Sequence, residues 1–330
     1  MNDIRSTDEN DVPREEGGVR TPVSFVTVDE NSEGQRIDNF LITHLKGVPK
    51  TLVYRILRKG EVRVNKGRAK PEQRLESGDI VRIPPLRLPT RDEPPKAGNR
   101  LLEELEARIL YEDRELLVIN KPAGLAVHGG SGVKLGLIES LRQLRPKEKM
   151  LELVHRLDRD TSGCIVVAKK RTTLTALHEA LRIGKVDKRY TALAFGRWPA
   201  KLRDVHAPLM KNQVASGERF VRVNDAGKAA HTGFTVLQAY EGYTLVEAKP
   251  YTGRTHQIRV HARHAGFPLV ADDKYSEREA NQRAAQQGFQ RLCLHASRIS
   301  FISPATGQRI SVEAPLPADI AVPLQRLTKA

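Results

Sequence analysis

In the run His155-Arg156-Leu157-Asp158-Arg159-Asp160-Thr161-Ser162-Gly163, a carboxylate at Asp158 lies between two guanidinium side chains. Cationic neighbours favour the charged form of a carboxylate, and an ionised Asp held in place can act as nucleophile or general base. Charge spacing alone also fits a salt-bridged loop ahead of an apolar strand, so both readings stand. Asp160 reads as the cap of the turn at Thr161-Ser162-Gly163. His256, His261 and His264 raise the possibility of a metal, but no Cys or well-placed acid joins them. Asp272 and Asp273 fit either Mg²⁺ ligation or a turn.

The elements around these residues can be read from periodicity. Strand-like runs occur at 116–119, 165–168, 190–195, 233–238 and 243–248. Leu174, Leu177 and Leu181 mark one amphipathic helix, and Ile258, Ala262 and Ala265 mark another that Gly266 ends. Strands cluster with few helices between them, which predicts an α+β domain over 101–318 with a mixed, largely antiparallel sheet. Tyr190 falls on an alternating strand, where an aromatic belongs to a core or a surface. Thr255 is a candidate helix N-cap that Arg254 could simply touch.

A second, smaller α/β module is predicted over 35–83. Ile37, Phe40, Leu41 and Leu45 fall at helical spacing, and Val53, Ile56 and Leu57 repeat it after Pro49. Gly60 stops the second helix, 61–67 reads as a strand ending in a turn, and 78–83 as a returning strand. The module holds twelve Lys or Arg against five Asp or Glu. Lys50, Arg55, Arg58 and Lys59 lie around its second helix, and Lys66, Arg68 and Lys70 around the turn, where they could meet successive phosphates. The Pro-rich stretch 84–100 reads as a linker.

The whole chain of 330 residues carries a net charge of +15, with a pI near 9.9. That balance points to a polyanionic partner without choosing among nucleic acid, chromatin and membrane surface. Residues 1–34 hold nine acidic side chains against three basic ones, and 1–22 read as a disordered acidic tail. Cys164 and Cys293 lie in no ligand spacing and read as buried thiols of a reducing compartment. No apolar run reaches the ~18 residues of a membrane span, so a cytoplasmic protein is expected, and a monomer.

Four segments together carry a resemblance: the run around Asp158, then Val118–His128, Lys188–Leu193 and Gly253–His261. In that order they resemble the RluA-type RNA pseudouridine synthases over about residues 115–275, and the 35–83 module resembles the S4 RNA-binding domain. Ala271-Asp272-Asp273 stands where many relatives have Gly-Asp. The resemblance implies isomerisation of uridine in large-subunit (23S) ribosomal RNA, without redox change or cofactor. It assigns Asp158 to the start of glycosidic cleavage, Arg254 to an ion pair with Asp158, and Tyr190 to stacking on uracil. Ile258 would form the apolar wall beneath the base, and Arg156 would enter the stack vacated by the flipped nucleotide. Lys121-Pro122 would shape the pocket rim. Two rival readings are a non-catalytic RNA-binding ribosome assembly factor and a metal-dependent nuclease using Asp158 with Asp272 or Asp273. Asp158, Tyr190 and Arg254 occurring together favour the enzyme.

Overall fold

The computed structural model describes residues 18–45, 48–89, 96–129, 135–213 and 219–330. The chain divides into two compact units at Pro94/Pro95. Most of the expected acidic tail lies outside the described residues.

In the first unit, β1 (Gly18–Arg20) and β2 (Ser24–Thr27) precede α1 (Ile37–His44) and α2 (Lys50–Arg58). The short strands β3 (Arg63–Val64) and β4 (Gly67–Arg68), then β5 (Ile80–Ile83) and β6 (Arg87–Pro89), complete it. Ile37, Leu41, Val53, Ile56 and Leu57 bury one face of the helix pair with Val62 and Val81 of the sheet. Tyr54 donates to Asp38 at 3.0 Å, which ties α2 to the start of α1. Asn65 and Lys66 both have positive φ, the backbone of a tight hairpin turn, so the strand predicted over 61–67 shrinks to two residues. The four-stranded order is β2-β5-β3-β4. β1 pairs with β6, so the end of the expected tail and part of the expected linker form a ladder.

The second unit is built on a ten-stranded sheet. It contains α3 (Asn99–Ala107), β7 (Ile109–Glu112), β8 (Leu116–Lys121), α4 (Leu137–Leu144), β9 (Glu152–Leu153), β10 (Ser162–Ala168), α5 (Arg171–Arg182) and β11 (Asp187–Phe195). Next come β12 (Asp204–His206), the separate hairpin β13 (Leu209–Gln213) and β14 (Arg219–Val223), β15 (His231–Tyr240) and β16 (Tyr243–Pro250). α6 (Gln257–His264), α7 (Arg278–Gln286), β17 (Leu294–Ile302), β18 (Arg309–Glu313) and α8 (Ala318–Gln325) close the chain. The strand order is β12-β15-β16-β11-β17-β10-β8-β7, with β18 on β17 and β9 on β10. β10 and β17 run parallel and the other pairs are antiparallel, giving the mixed α+β sheet.

Every residue of β10 is buried because helices cover both faces of the sheet there. Ile165 and Val167 pack with Leu137, Leu141 and Ala262 from α4 and α6. Cys164 and Val166 pack with Leu174 and Leu177 of α5 on the opposite face. The second unit also runs beyond the predicted end at 318. Ile320 and Leu324 are buried against Phe289 and Tyr243, and Ala330 bonds back to Ala239.

Candidate active site

Asp158 lies in the loop that feeds β10, and the loop is held from several sides. The Thr161 amide donates to the Asp158 carbonyl at 3.2 Å, closing a tight turn. Asp160, expected to cap that turn, instead pairs with Arg159 at the surface. Lys121 is fully buried behind the loop rather than at a rim. Its ammonium donates to the carbonyls of Pro122, Leu125 and Arg159 at 2.8, 2.9 and 2.9 Å. Burial pushes its pKa down to about 7, against the pull of Asp160 and Asp158. His155 accepts the Val166 amide through Nε2, and burial pushes its pKa down to about 3, so the ring is neutral.

Gly163 explains the end of the motif. Its φ is +111°, and an added Cβ would lie 2.2 Å from the Ala296 carbonyl oxygen, where β10 meets β17. The Ser162 hydroxyl donates to Nδ1 of buried His295, whose Nε2 donates to Ala314, so this pair is structural.

The partner of Asp158 is Arg259, not Arg254. Arg259 NH1 lies 3.6 Å from Asp158 Oδ2. Arg254 is exposed, and its Nε donates to the Ala229 carbonyl at 3.1 Å. The reason lies in α6. Its first turns pack against the sheet and bury Gln257, Ile258, Arg259 and Val260 in succession, whereas Arg254 precedes the helix. Arg259 is itself held by fully buried Asp272, with two contacts of 2.7 Å. Asp272 also accepts the amides of Lys274 and Tyr275. These contacts occupy its carboxylate, which weighs against a metal-ligand role. Ala271 sits at φ 56°, the left-handed region in which Gly is freer.

His256 is the second neighbour of Asp158, with Nε2 at 3.8 Å from Oδ2. The Tyr275 hydroxyl accepts the Val221 amide and lies at hydrogen-bond distance, 2.8 Å, from His256 Nδ1. Burial lowers the His256 pKa, which favours the neutral ring. His256, not Thr255, is the N-cap of α6, in a left-handed conformation at φ 52°. His261 bonds Thr232 and Ala207 through its two nitrogens, so the three histidines do not assemble a metal set.

Tyr190 faces the same cavity from β11, beside a register shift against β17 between Arg189 and Thr191. Burial, then the nearby Asp158 charge, raise its phenol well above the ordinary value, so it stays protonated. The cavity has a volume of about 750 Å³. Leu157, Ile258 and Leu294 supply apolar lining, and exposed Arg156 stands at its edge. In the first unit, Lys50, Arg55, Arg58, Lys59 and Lys66 are all exposed. A carboxylate, a protonated phenol and apolar walls in one concave site suit proton transfer or nucleophilic attack on a flat, neutral ring.

Residues 115–264 match the family model described as RNA pseudouridylate synthase, and residues 35–81 match the S4 domain. The chain is 53% identical over 304 residues to the ribosomal large subunit pseudouridine synthase C of Pasteurella multocida, covering 92% of this chain and 93% of that one. The chain belongs to the RluA-type RNA pseudouridine synthases. Its similarity to the Escherichia coli K12 pseudouridine synthase C is 52% over 318 residues, covering 94% and 99%. Among solved structures, human RNA pseudouridylate synthase domain containing 4 superposes with a TM-score of 0.58 at 29% identity, covering 69% of this chain and 95% of that one. As a pseudouridine synthase the chain is an isomerase, and the S4 domain is its first unit. Within the Gly253–His261 segment, Arg259 was the residue missed. Its position among consecutive buried residues of α6 was the signal that separates it from Arg254.

Proposed function

We propose that this pseudouridine synthase isomerises uridines of the large-subunit (23S) ribosomal RNA. The observation that carries the reading is Asp158 at a concave site with Arg259 at 3.6 Å, on a chain half identical to large-subunit enzymes. Asp158 starts glycosidic cleavage as nucleophile or base, and Arg259 holds its aim. Tyr190 lies against the uracil and packs its ring on the base while it turns; the proton that leaves C5 after the new C–C bond forms goes to a carboxylate or to water, not to the protonated phenol. Ile258, with Leu157 and Leu294, walls the freed base so that it rotates without escaping. Arg156 enters the gap left by the flipped nucleotide, at a cost of a few kcal/mol for unstacking. Arg254 guards the rim of the cavity. Lys50, Arg55, Arg58, Lys59 and Lys66 of the S4 domain hold phosphates of the same RNA. The protein works without a cofactor, as a cytoplasmic monomer; no helix among the described residues is long and apolar enough to cross a membrane.

The test is to map pseudouridines in 23S rRNA from cells lacking the gene, complemented with wild type or with Asp158→Ala. Wild type restores specific pseudouridines and Asp158→Ala restores none, while RNA affinity in vitro stays near wild type. Residual turnover by the variant would sink the assignment of Asp158.

A further inference from the structure

Lys188 is a cation lining the cavity that the reaction described above leaves without a task. It stands two residues before Tyr190 on β11, so strand alternation places both side chains on the same face of the sheet, roughly 7 Å apart along the chain. Three basic residues near it have carboxylate partners. Arg189 pairs with Asp187 at 3.0 Å and Glu247 at 2.8 Å, Lys249 with Asp187 at 3.0 Å, and Arg259 with Asp272 at 2.7 Å. Among the described residues Lys188 has neither an acid within ion-pair distance nor a hydrogen-bond acceptor. It is also drawn partly out of water, and burial lowers its pKa.

An ammonium that is desolvated yet unpaired is costly, and the natural balance is an anion that arrives with the ligand. The floor of this cavity takes a neutral base, so the anion belongs to the chain that carries the base. Lys185 and Arg309 also line the cavity and add to its positive charge.

We propose that Lys188 binds a backbone phosphate adjoining the uridine held in the cavity. This rests on the RNA reading of the same site. The contact places the nucleotide lengthwise, with its base at Asp158 and Tyr190 and its phosphate one step nearer the cavity mouth. Lys188 is in this sense a substrate-binding residue and takes no part in bond breaking.

The test uses the full-length protein and a 23S rRNA fragment containing a uridine that wild type isomerises. The fragment is made unmodified and with a single neutral methylphosphonate on the 5′ or the 3′ side of that uridine. Lys188→Gln is expected to lower kcat/KM about tenfold on the unmodified RNA, and Lys188→Arg to recover most of it. The slope of log affinity against log salt should fall by about 0.7 to 0.9 in Lys188→Gln, the value for one phosphate contact. A methylphosphonate on one side should slow wild type by a similar factor and slow Lys188→Gln no further. Equal penalties in both proteins at both positions, or an unchanged salt slope, would overturn the proposal while leaving the RNA reading intact. No turnover of any fragment by wild type would overturn the RNA reading itself. The thermal midpoint of Lys188→Gln should match or exceed wild type, since no internal partner is lost, and a clear drop would mark a structural role instead.

Discussion

Arg259 and Asp272 form a buried, two-pronged ion pair that leaves the remaining guanidinium nitrogen of Arg259 3.6 Å from Asp158. Asp272 therefore acts on the site without touching it. Asp272→Asn should leave a buried guanidinium short of its partner and lower stability by about 3 to 5 kcal/mol. It should also loosen the aim of Arg259, so that kcat falls more than KM rises. Urea unfolding and steady-state kinetics on the same preparation check both, and an unchanged kcat in folded protein would refute the positioning role.

Gly163 has no room for a side chain, because the Ala296 backbone occupies the space at 2.2 Å. Gly163→Ala should separate β10 from β17 at the point where the Asp158 loop enters the sheet. Expected are a destabilisation of several kcal/mol, as for other backbone-incompatible substitutions, and loss of activity. Thermal melts and activity at a temperature where the variant is still folded would check this. Full activity would mean that the loop does not depend on this strand contact.

Glu112 gives a pH dependence with a defined sign. Arg145, then Lys169, holds its carboxyl down to about 2, below the ordinary 4.5. The stabilisation is complete above about pH 4.5 and fades as pH falls towards 2, because the unfolded chain takes up the proton first. Glu112→Gln should flatten the acid limb of the thermal midpoint between those pH values. Parallel acid limbs for the two proteins would rule out this contribution.

Exposed Arg55, Arg58, Lys59 and Lys66 of the first unit should contribute affinity rather than chemistry. Replacing all four with Gln in the full-length protein should weaken 23S rRNA binding and lower the salt slope by up to about 3. kcat at saturating RNA should hold. Filter binding across a salt series reads this, and an unaltered slope would remove these residues from the RNA contact.

Much of the molecule was legible along the chain. Apolar periodicity outlined the helices around Ile37, Val53, Leu174 and Ile258, because each buries one stripe. Asp158 and Tyr190 stood out because their segments are short, specific and locally continuous. Strand β17 was not seen, although it lies between β10 and β11 at the centre of the sheet, and neither was α8 with its buried Ile320. Their burial comes from distant partners that no local pattern names.

The sequence by itself determined the two modules and the α+β class, since composition and periodicity carry that information, and its resemblance to a family singled out Asp158 as the candidate carboxylate. Only the tertiary structure decided which arginine serves Asp158. Arg254 and Arg259 are nearly equivalent as letters, five residues apart. The fold turns one outward to the Ala229 carbonyl and buries the other between Asp272 and Asp158. The choice follows from where α6 begins and which of its faces meets the sheet. Lys121 was decided in the same way, moved from an expected rim to the core by three carbonyls converging on its ammonium.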